Sequence, residues 1–445
     1  MPDFLHLQGL RTLHAEDLGD HYRVEAVGCV VPTSCPACFN ALYRHGTQRQ
    51  TYMDTPMHGK RVLIEIERKR YRCKVCGKTL FEPLPSMDGK RQATSRLIEY
   101  IEARCLRKTF ADLSREIGVD DKTIRHVFDD YIRRLKETVV FETPEIMGID
   151  ELKIIGQYRA MITNIEKLAL FDMLPTRNKT DLLAYFSTMP DKQRVRVLNM
   201  DMWSVYRQVA QDQFPGRMVV ADRFHVVRTA NNALEAVRKA IRKGLDQKTR
   251  IKLKDDRDIL LARRKDLDER ALEKLDRWKE MFPVLGAAYE VKEAFHDIYL
   301  HRSKDDAMKA AQEWRESVPS ELDVYFRDLK GLLGSWWAEI FNYYDCPTTN
   351  AYTESVNNLA DERNRMGRGY SFEVIRAKLV YDNDARKDTR TTIRKKVRKP
   401  IPTVGLVTAN YISSPVYETV LEEKTVEYGA YIPTLVRKLR NGEFE

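Results

Sequence analysis

The chain has 445 residues, with 76 Lys and Arg against 66 Asp and Glu, a formal net charge of +10 and a pI near 9.1. That length implies roughly two to four domains. The 43% hydrophobic and 32% charged composition is that of a water-soluble globular protein, and the absence of an apolar run long enough to cross a bilayer argues against a membrane-spanning one. The basic balance favours a polyanionic partner, and the N-terminal MPDFLHLQGLRTL lacks the features of a secretion signal, so the expected location is the cytoplasm.

Four of the seven cysteines form two C-x-x-C pairs, Cys35-Pro-Ala-Cys38 and Cys73-Lys-Val-Cys76. Each pair offers two thiolates from one tight knuckle, and two knuckles complete a tetrahedral structural Zn(II) site. The alternating RVLIEIERKRYRC reads as a strand delivering the second knuckle, so the first region, 1–85, is expected to contain a zinc ribbon. Cys29, Cys105 and Cys346 lack paired spacing and read as core residues.

From 86 to 142 the pattern is helical. Ala111, Leu113 and Ile117 recur on one face, Gly118 permits a tight turn, and Ile124, Val127 and Phe128 open the next face. This is a helix-turn-helix pattern, whose second helix would present Lys122, Thr123, Arg125 and His126 to a DNA major groove. An ordinary helical hairpin has the same period; the basic chain and the adjacent ribbon favour DNA binding.

A third region begins near Pro144. EIMGIDELKI, QYRAMITNIE and KLALFDMLP read as three consecutive strands, followed by helix TDLLAYFSTM, strand RVRVLNMD, helix SVYRQVAQDQF and strand GRMVVAD. A meander followed by alternating helix and strand predicts a mixed sheet flanked by helices, an RNase H-like core. We place the first part of that core at 143–229, a charged helical insertion at 230–340, the second part at 341–397 and a C-terminal tail of unassigned role at 398–445. The expected fold is therefore multidomain α+β, with zinc ribbon, helix-turn-helix and an interrupted RNase H-like α/β catalytic core.

Asp150 lies in the first core strand, Asp201 ends the fourth, and Glu354 starts a helix after the insertion. Three converging carboxylates suit two Mg(II) or Mn(II) ions, hard cations that serve in-line phosphoryl transfer. Spacing alone leaves alternatives: Asp222 competes with Asp201, Glu151 with Asp150, and Glu362 or Glu373 with Glu354. Trp203, Trp336 and Trp337 read as core packing ahead of base stacking.

The order CPAC, RHG, DTPMHGKRV, RKRYRC, FEPLP, MGIDELKI, VLNMDMW, VVADRFHVVR, TNAYTESVNNL and RGYSFEVIRAKL resembles that of bacterial insertion-sequence transposases of the ISL-three family, within the DDE class, from about residue 28 to 382. The resemblance implies a catalytic triad of Asp150, Asp201 and Glu354 holding two divalent ions, with Asp222 and His225 as accessory site residues. It implies that the ribbon and helix-turn-helix bind the element's terminal inverted repeats. It further implies cleavage and transfer of a DNA strand to target DNA by a homodimer or larger assembly. The alternative is a domesticated, catalytically silent DNA-binding regulator. The chain departs from the family in reading GIDEL for GIDEF and in a thinner basic stretch around Arg363, Arg365 and Arg368.

Overall fold

The computed structural model describes residues 5–382, together with two short strands further on, Lys399–Pro400 and Tyr417–Glu418, which pair antiparallel. The expected tail role and the last residues assigned to the core's second part otherwise lie outside the described residues.

The N-terminal sheet contains β1 (Leu10–Asp17), β2 (His21–Gly28), β3 (Leu42–Met57), β4 (Lys60–Cys73) and β5 (Thr79–Phe81), in the order β1-β2-β4-β3 with β5 on β4. The long β3–β4 hairpin closes through His58 and Gly59, with φ of 52° and 76°. Two successive left-handed residues match the right-handed twist of the flanking strands, which is why a two-residue loop suffices here. Val24, Val62, Ile64 and Ile66 form this sheet's buried face.

Three helices follow: α1 (Ser95–Cys105), α2 (Phe110–Ile117) and α3 (Asp121–Thr138). Thr94, Thr109 and Asp120 cap them, each accepting a hydrogen bond from a backbone N–H in the first turn. Gly118 ends α2 at φ 85°, the left-handed position expected of it. The buried stripe of α2 is Phe110, Leu113 and Ile117, whereas Ala111 is exposed. The inward face thus begins one residue earlier than the sequence reading placed it, because Phe110 buries far more apolar area.

The second sheet contains β6 (Ile146–Ile154), β7 (Gln157–Asn164), β8 (Ala169–Met173), β9 (Val197–Met200) and β10 (Met218–Ala221), in the order β10-β9-β6-β7-β8. β6, β7 and β8 run antiparallel, and β9 and β10 add in parallel beyond β6. Helices α4 (Lys179–Ser187) and α5 (Ser204–Gln213) lead into and out of β9 and bury Leu182, Phe186, Tyr206 and Val209 on one side. This is the mixed sheet of an RNase H-like core.

Helix α6 (Arg223–Arg242) leaves the end of β10 and runs unbroken past residue 230, so the expected start of the insertion falls inside a continuous helix. The insertion continues as α7 (Gln247–Asp255), α8 (Arg257–Leu261), α9 (Glu269–Met281), α10 (Pro283–Ile298), α11 (Lys304–Ser317), α12 (Asp323–Ser335) and α13 (Trp337–Phe341). These helices share an apolar core with α6 through residues such as Leu234, Tyr289, Phe295 and Phe326. Then α14 (Ala351–Gly367) returns to the sheet, packing on β6 and β7, and α15 (Phe372–Val380) packs on β8. Val374 and Ala377 of α15 also join the core of α1–α3.

Candidate active site and metal centre

The four knuckle cysteines converge, with ligand atoms all within 4.8 Å of one another. Cys35 Sγ lies 3.6 Å from Cys76 Sγ, and Cys38 Sγ lies 3.4 Å from Cys73 Sγ. A tetrahedron with Zn–S bonds of about 2.3 Å has edges of about 3.8 Å, so the donor set fits Zn(II). In each knuckle the residue after the second cysteine is left-handed, Phe39 at φ 57° and Gly77 at φ 71°. Backbone and side-chain N–H groups of Asn40 hold the Cys38 thiol down at about 6, which favours the ligating thiolate. Among the remaining cysteines Cys105 is buried and Cys346 half-buried, but Cys29 is exposed. Cys29 is therefore not the core residue the sequence suggested: it follows the last residue of β2, where the chain turns out towards the ribbon.

In α3, Lys122, Arg125 and His126 are exposed, as a DNA-reading face requires. Thr123 is otherwise engaged: its N–H donates to Asp120 Oδ1 at 2.9 Å and its hydroxyl to Asp120 Oδ2 at 2.7 Å, closing the helix cap.

The acidic site is set by strand register. Ile149 pairs with Met200, and Met200 with Ala221. The next residue on each of these three adjacent parallel strands is an aspartate: Asp150, Asp201 and Asp222. All three sit level across the sheet, at the carboxyl ends of β9 and β10, where open α/β sheets bind ligands. Asp201 belongs to the middle strand and is flanked on both sides.

Asp150 and Asp222 are buried, at 5% and 2% exposure. Burial is the largest cause raising the Asp150 carboxyl to about 7; the charges of Asp201 and Asp222 add to it, while His225 and an amide hydrogen bond from Asn357 oppose it. Asp222 is likewise raised, first by burial, despite His225 and N–H groups from Asn350 and Phe224. His225 bridges two of the acids, with Nδ1 3.4 Å from Asp201 Oδ1 and Nε2 3.7 Å from Asp222 Oδ2.

Helix α14 is keyed to the sheet by a polar stripe that sequence reasoning missed. Asn350 donates its N–H to Asp222 Oδ1 at 3.3 Å and its side-chain amide to Ile149 O at 3.1 Å. The Thr353 hydroxyl meets that of Thr163 at 2.7 Å. Asn357 donates Nδ2 to Asp150 Oδ2 at 2.9 Å. The spacing i, i+3, i+7 is the available signal, a buried helix face carrying amides and a hydroxyl where apolar residues are expected. Gly148 leaves room for this stripe, since a Cβ there would lie 2.3 Å from Thr163 Oγ1 and 2.5 Å from Asn350 Oδ1.

Glu354 occupies the first turn of α14 and is exposed. Among the described residues only the four cysteines have ligand atoms gathered within 4.8 Å, so neither the aspartates with His225 nor Glu354 close to that distance; Asp201, Asp222 and His225 act on Asp150 through their charges. Glu373, an alternative third acid, lies 3.8 Å from the Arg376 guanidinium on α15. Glu151 is ion-paired with Arg177. Trp336 is buried under the Arg207 guanidinium, 3.5 Å from its ring centroid, and Trp337 packs on Phe341. Arg363 donates to Asp382 Oδ2 at 3.0 Å and to the Arg107 carbonyl, so it serves packing.

A sheet of this order, with aspartates level at adjacent strand ends and a helix returning across them, defines the RNase H-like class of DDE enzymes. Comparison with known proteins agrees: residues 147–379 match a DDE transposase family model of the ISL3 group, described as "Transposase". Residues 32–76 match the zinc-finger of transposase IS204/IS1001/IS1096/IS1165, and residues 82–132 the helix-turn-helix domain of transposase family ISL3. The chain belongs to the ISL3 family of transposases. It is also similar to the transposase for insertion sequence element IS1001 of Bordetella parapertussis, 21% identical over 356 residues, covering 77% of this chain and 87% of that protein. No described helix is long and apolar enough to cross a membrane.

Proposed function

We propose that this transposase uses Asp150, Asp201 and Glu354 as its catalytic triad, with Asp222 and His225 as accessory residues. The supporting observation is the level register of Asp150, Asp201 and Asp222 on adjacent strands. In this reading 143–229 and 341–397 form one catalytic core, 230–340 interrupts it, and the regions at 1–85 and 86–142 read the element's terminal inverted repeats. Lys122, Arg125 and His126 supply groove contacts from α3, and a homodimer or larger assembly pairs two ends before strand transfer to target DNA.

The donor set suits Mg(II) or Mn(II): carboxylate oxygens, with Asp150 buried, Asp201 half-buried and Glu354 exposed, the charges of Asp201 and Asp222 disfavouring ionisation of Asp150, and His225 opposing at both Asp150 and Asp222. Bound there, two such ions supply Lewis acidity and charge neutralisation for in-line attack on a phosphodiester. The protein's own contribution is placement. Asn357 fixes the Asp150 carboxylate, Met202 N–H fixes Asp201 Oδ1 at 2.6 Å, and Asn350 fixes Asp222. Glu354 is favoured as third acid by helix geometry: at about 100° per residue it lies about 60° from Asn357 around α14, whereas Glu362 lies about 140° away.

Cleavage of a labelled duplex carrying the gene's own flanking end tests the reading. Mg(II)- or Mn(II)-dependent nicking at the element boundary by the wild type, lost in Asp201→Ala with end binding retained, is the expected result. End binding without cleavage under both metals, with paired ends supplied, overturns it in favour of a DNA-binding regulator.

A further inference from the structure

The two cysteine knuckles are near copies of each other. In each, the N–H of the first cysteine donates to the carbonyl five residues on, Cys35 to Asn40 and Cys73 to Lys78, both at 2.9 Å, and the residue after the second cysteine is left-handed. The second knuckle fills that position with Gly77, which adopts it without steric cost. The first fills it with Phe39, whose φ of 57° is strained for a bulky side chain. Its N–H donates to the Cys35 carbonyl at 2.8 Å and the Asn40 side-chain amide holds the Cys38 carbonyl at 2.8 Å, so the backbone is fixed in that state. The strain secures no core contact, for Phe39 is 82% exposed. Val75, inside the second knuckle, is 70% exposed.

The chain around these knuckles carries no acid. Residues 29–53 contain two Arg and residues 68–81 six Lys or Arg, with no Asp or Glu in either segment. Arg49 and Lys69 are paired with Glu65 and Glu82 from outside them. Arg44, Arg72, Lys74 and Lys78 are exposed and have no carboxylate partner among the described residues. A second copy of the chain is a poor occupant, since a self-complementary contact would set these cations against their own counterparts. The sheet is also fixed to the helix-turn-helix: buried Asp54 receives Arg96 Nε at 2.8 Å and the Thr94 hydroxyl at 2.7 Å, and Arg61 lies against Gly118, the turn between α2 and α3. Knuckles and α3 therefore meet a polyanion as one body, and an exposed aromatic among unpaired cations suits a duplex, whose stacked bases take the ring and whose phosphates take the charges.

Resting on the reading of the ribbon as a DNA-binding region, we infer that Phe39 is an apolar wedge: held out from the first knuckle, it enters the minor groove of the element end and partly unstacks one base step. Val75 adds apolar contact from the second knuckle, and Arg44, Arg72, Lys74 and Lys78 meet the flanking phosphates.

The test uses binding by uncut DNA. Full-length, zinc-loaded Asp201→Ala protein is titrated against end duplexes carrying single 2-aminopurine substitutions, whose fluorescence rises where a base step unstacks. Adding Phe39→Gly removes that rise and weakens binding about 5- to 30-fold, with the salt slope unchanged because no charge is lost. Glycine suits the left-handed backbone, so this variant keeps its full zinc stoichiometry, which reports an intact knuckle. Phe39→Trp keeps the rise. Replacing Lys74 and Lys78 together by Ala lowers the salt slope by about two. Unchanged affinity and slope in that double variant would mean that the ribbon does not touch DNA, and the underlying reading fails with the wedge. A lowered slope there, with parent-like affinity and fluorescence in Phe39→Gly, overturns the wedge alone. Loss of self-association, or of adhesion to anionic phosphatidylserine vesicles, by a Phe39→Gly protein that binds DNA like its parent also overturns it, in favour of a protein or membrane contact.

Discussion

Asp150→Asn is expected to stabilise the catalytic core while abolishing its chemistry. In the native chain the Asp150 carboxyl is raised from 3.8 to about 7, burial being the first cause. Without added divalent ions the folded protein therefore holds a proton there between about pH 4 and 7 that the unfolded chain releases. Its stability falls as pH rises through that window and levels off above it. At about 1.4 kcal/mol per pH unit the full effect is roughly 4 kcal/mol, and relaxation of the neighbouring acids reduces the expected range to about 2–4 kcal/mol. The amide in place of the carboxylate removes the term. Its new N–H₂ has a ready acceptor, because Asn357 Oδ1 is buried without a hydrogen-bond partner and the Asn357 amide can turn over to meet it.

The assay is hydrogen exchange of the β6 and β9 amides at pH 5 and pH 8, corrected for intrinsic exchange, with zinc left in place. At pH 8 the variant should exceed the wild type by about 2–4 kcal/mol in opening free energy, and at pH 5 the gap should shrink to roughly half. Adding Mg(II) should stabilise the wild type at pH 8 and leave the variant unmoved. Equal pH dependence in the two proteins, or a variant less stable at pH 8, would refute the reasoning.

Cys73→Ser is expected to lose zinc and unfold the ribbon, read as metal stoichiometry by mass spectrometry or atomic absorption; retained zinc would defeat the assignment. Gly148→Ala drives a methyl group against Thr163 and Asn350 at 2.3 and 2.5 Å, and should cost about 1–3 kcal/mol. It should also slow end cleavage more than end binding, since the displaced stripe carries α14 and not α3.

How much of this was legible in the sequence followed the range of the interaction. The knuckles and helix caps are local, so Cys35 to Cys38, Cys73 to Cys76 and the Asp120 cap can be read from spacing. The strand and helix order of the core could be read as well, because each element carries its own period. Register could not. MGID, VLNMD and VVAD each end an apolar run on aspartate, but their becoming level depends on which strands pair, and that made Asp222 as close a neighbour of Asp201 as Asp150 is. Cys29 shows the converse, a residue type that is usually buried but here placed at an exposed strand end.

Helix α14, which carries Glu354, the proposed third acid, is constrained along both halves. Asn350, Thr353 and Asn357 bind the first half of α14 to β6, β7 and the end of β10. Beyond them Arg363 reaches Asp382 and the Arg107 carbonyl, while Tyr370 accepts the Phe110 N–H at 2.7 Å. Lys378 of α15 is buried against Phe110 and Phe128, donates to the Lys108 carbonyl at 2.9 Å, and is lowered to about 8 by burial. The sheet holds the start of α14 through these largely buried polar contacts, and the helical region holds its far half through Arg363 and the following segment through Tyr370 and Lys378, so tilting α14 would break several of them at a cost of about 1–3 kcal/mol for each buried group left unpaired. On the proposed triad, convergence of Glu354 on Asp150 and Asp201 would therefore come from the torsions of the Glu354 side chain, which is exposed in the first turn of α14. Divalent ions bound at the proposed site would supply the attraction, with the helix itself held by the sheet and the helical region before it.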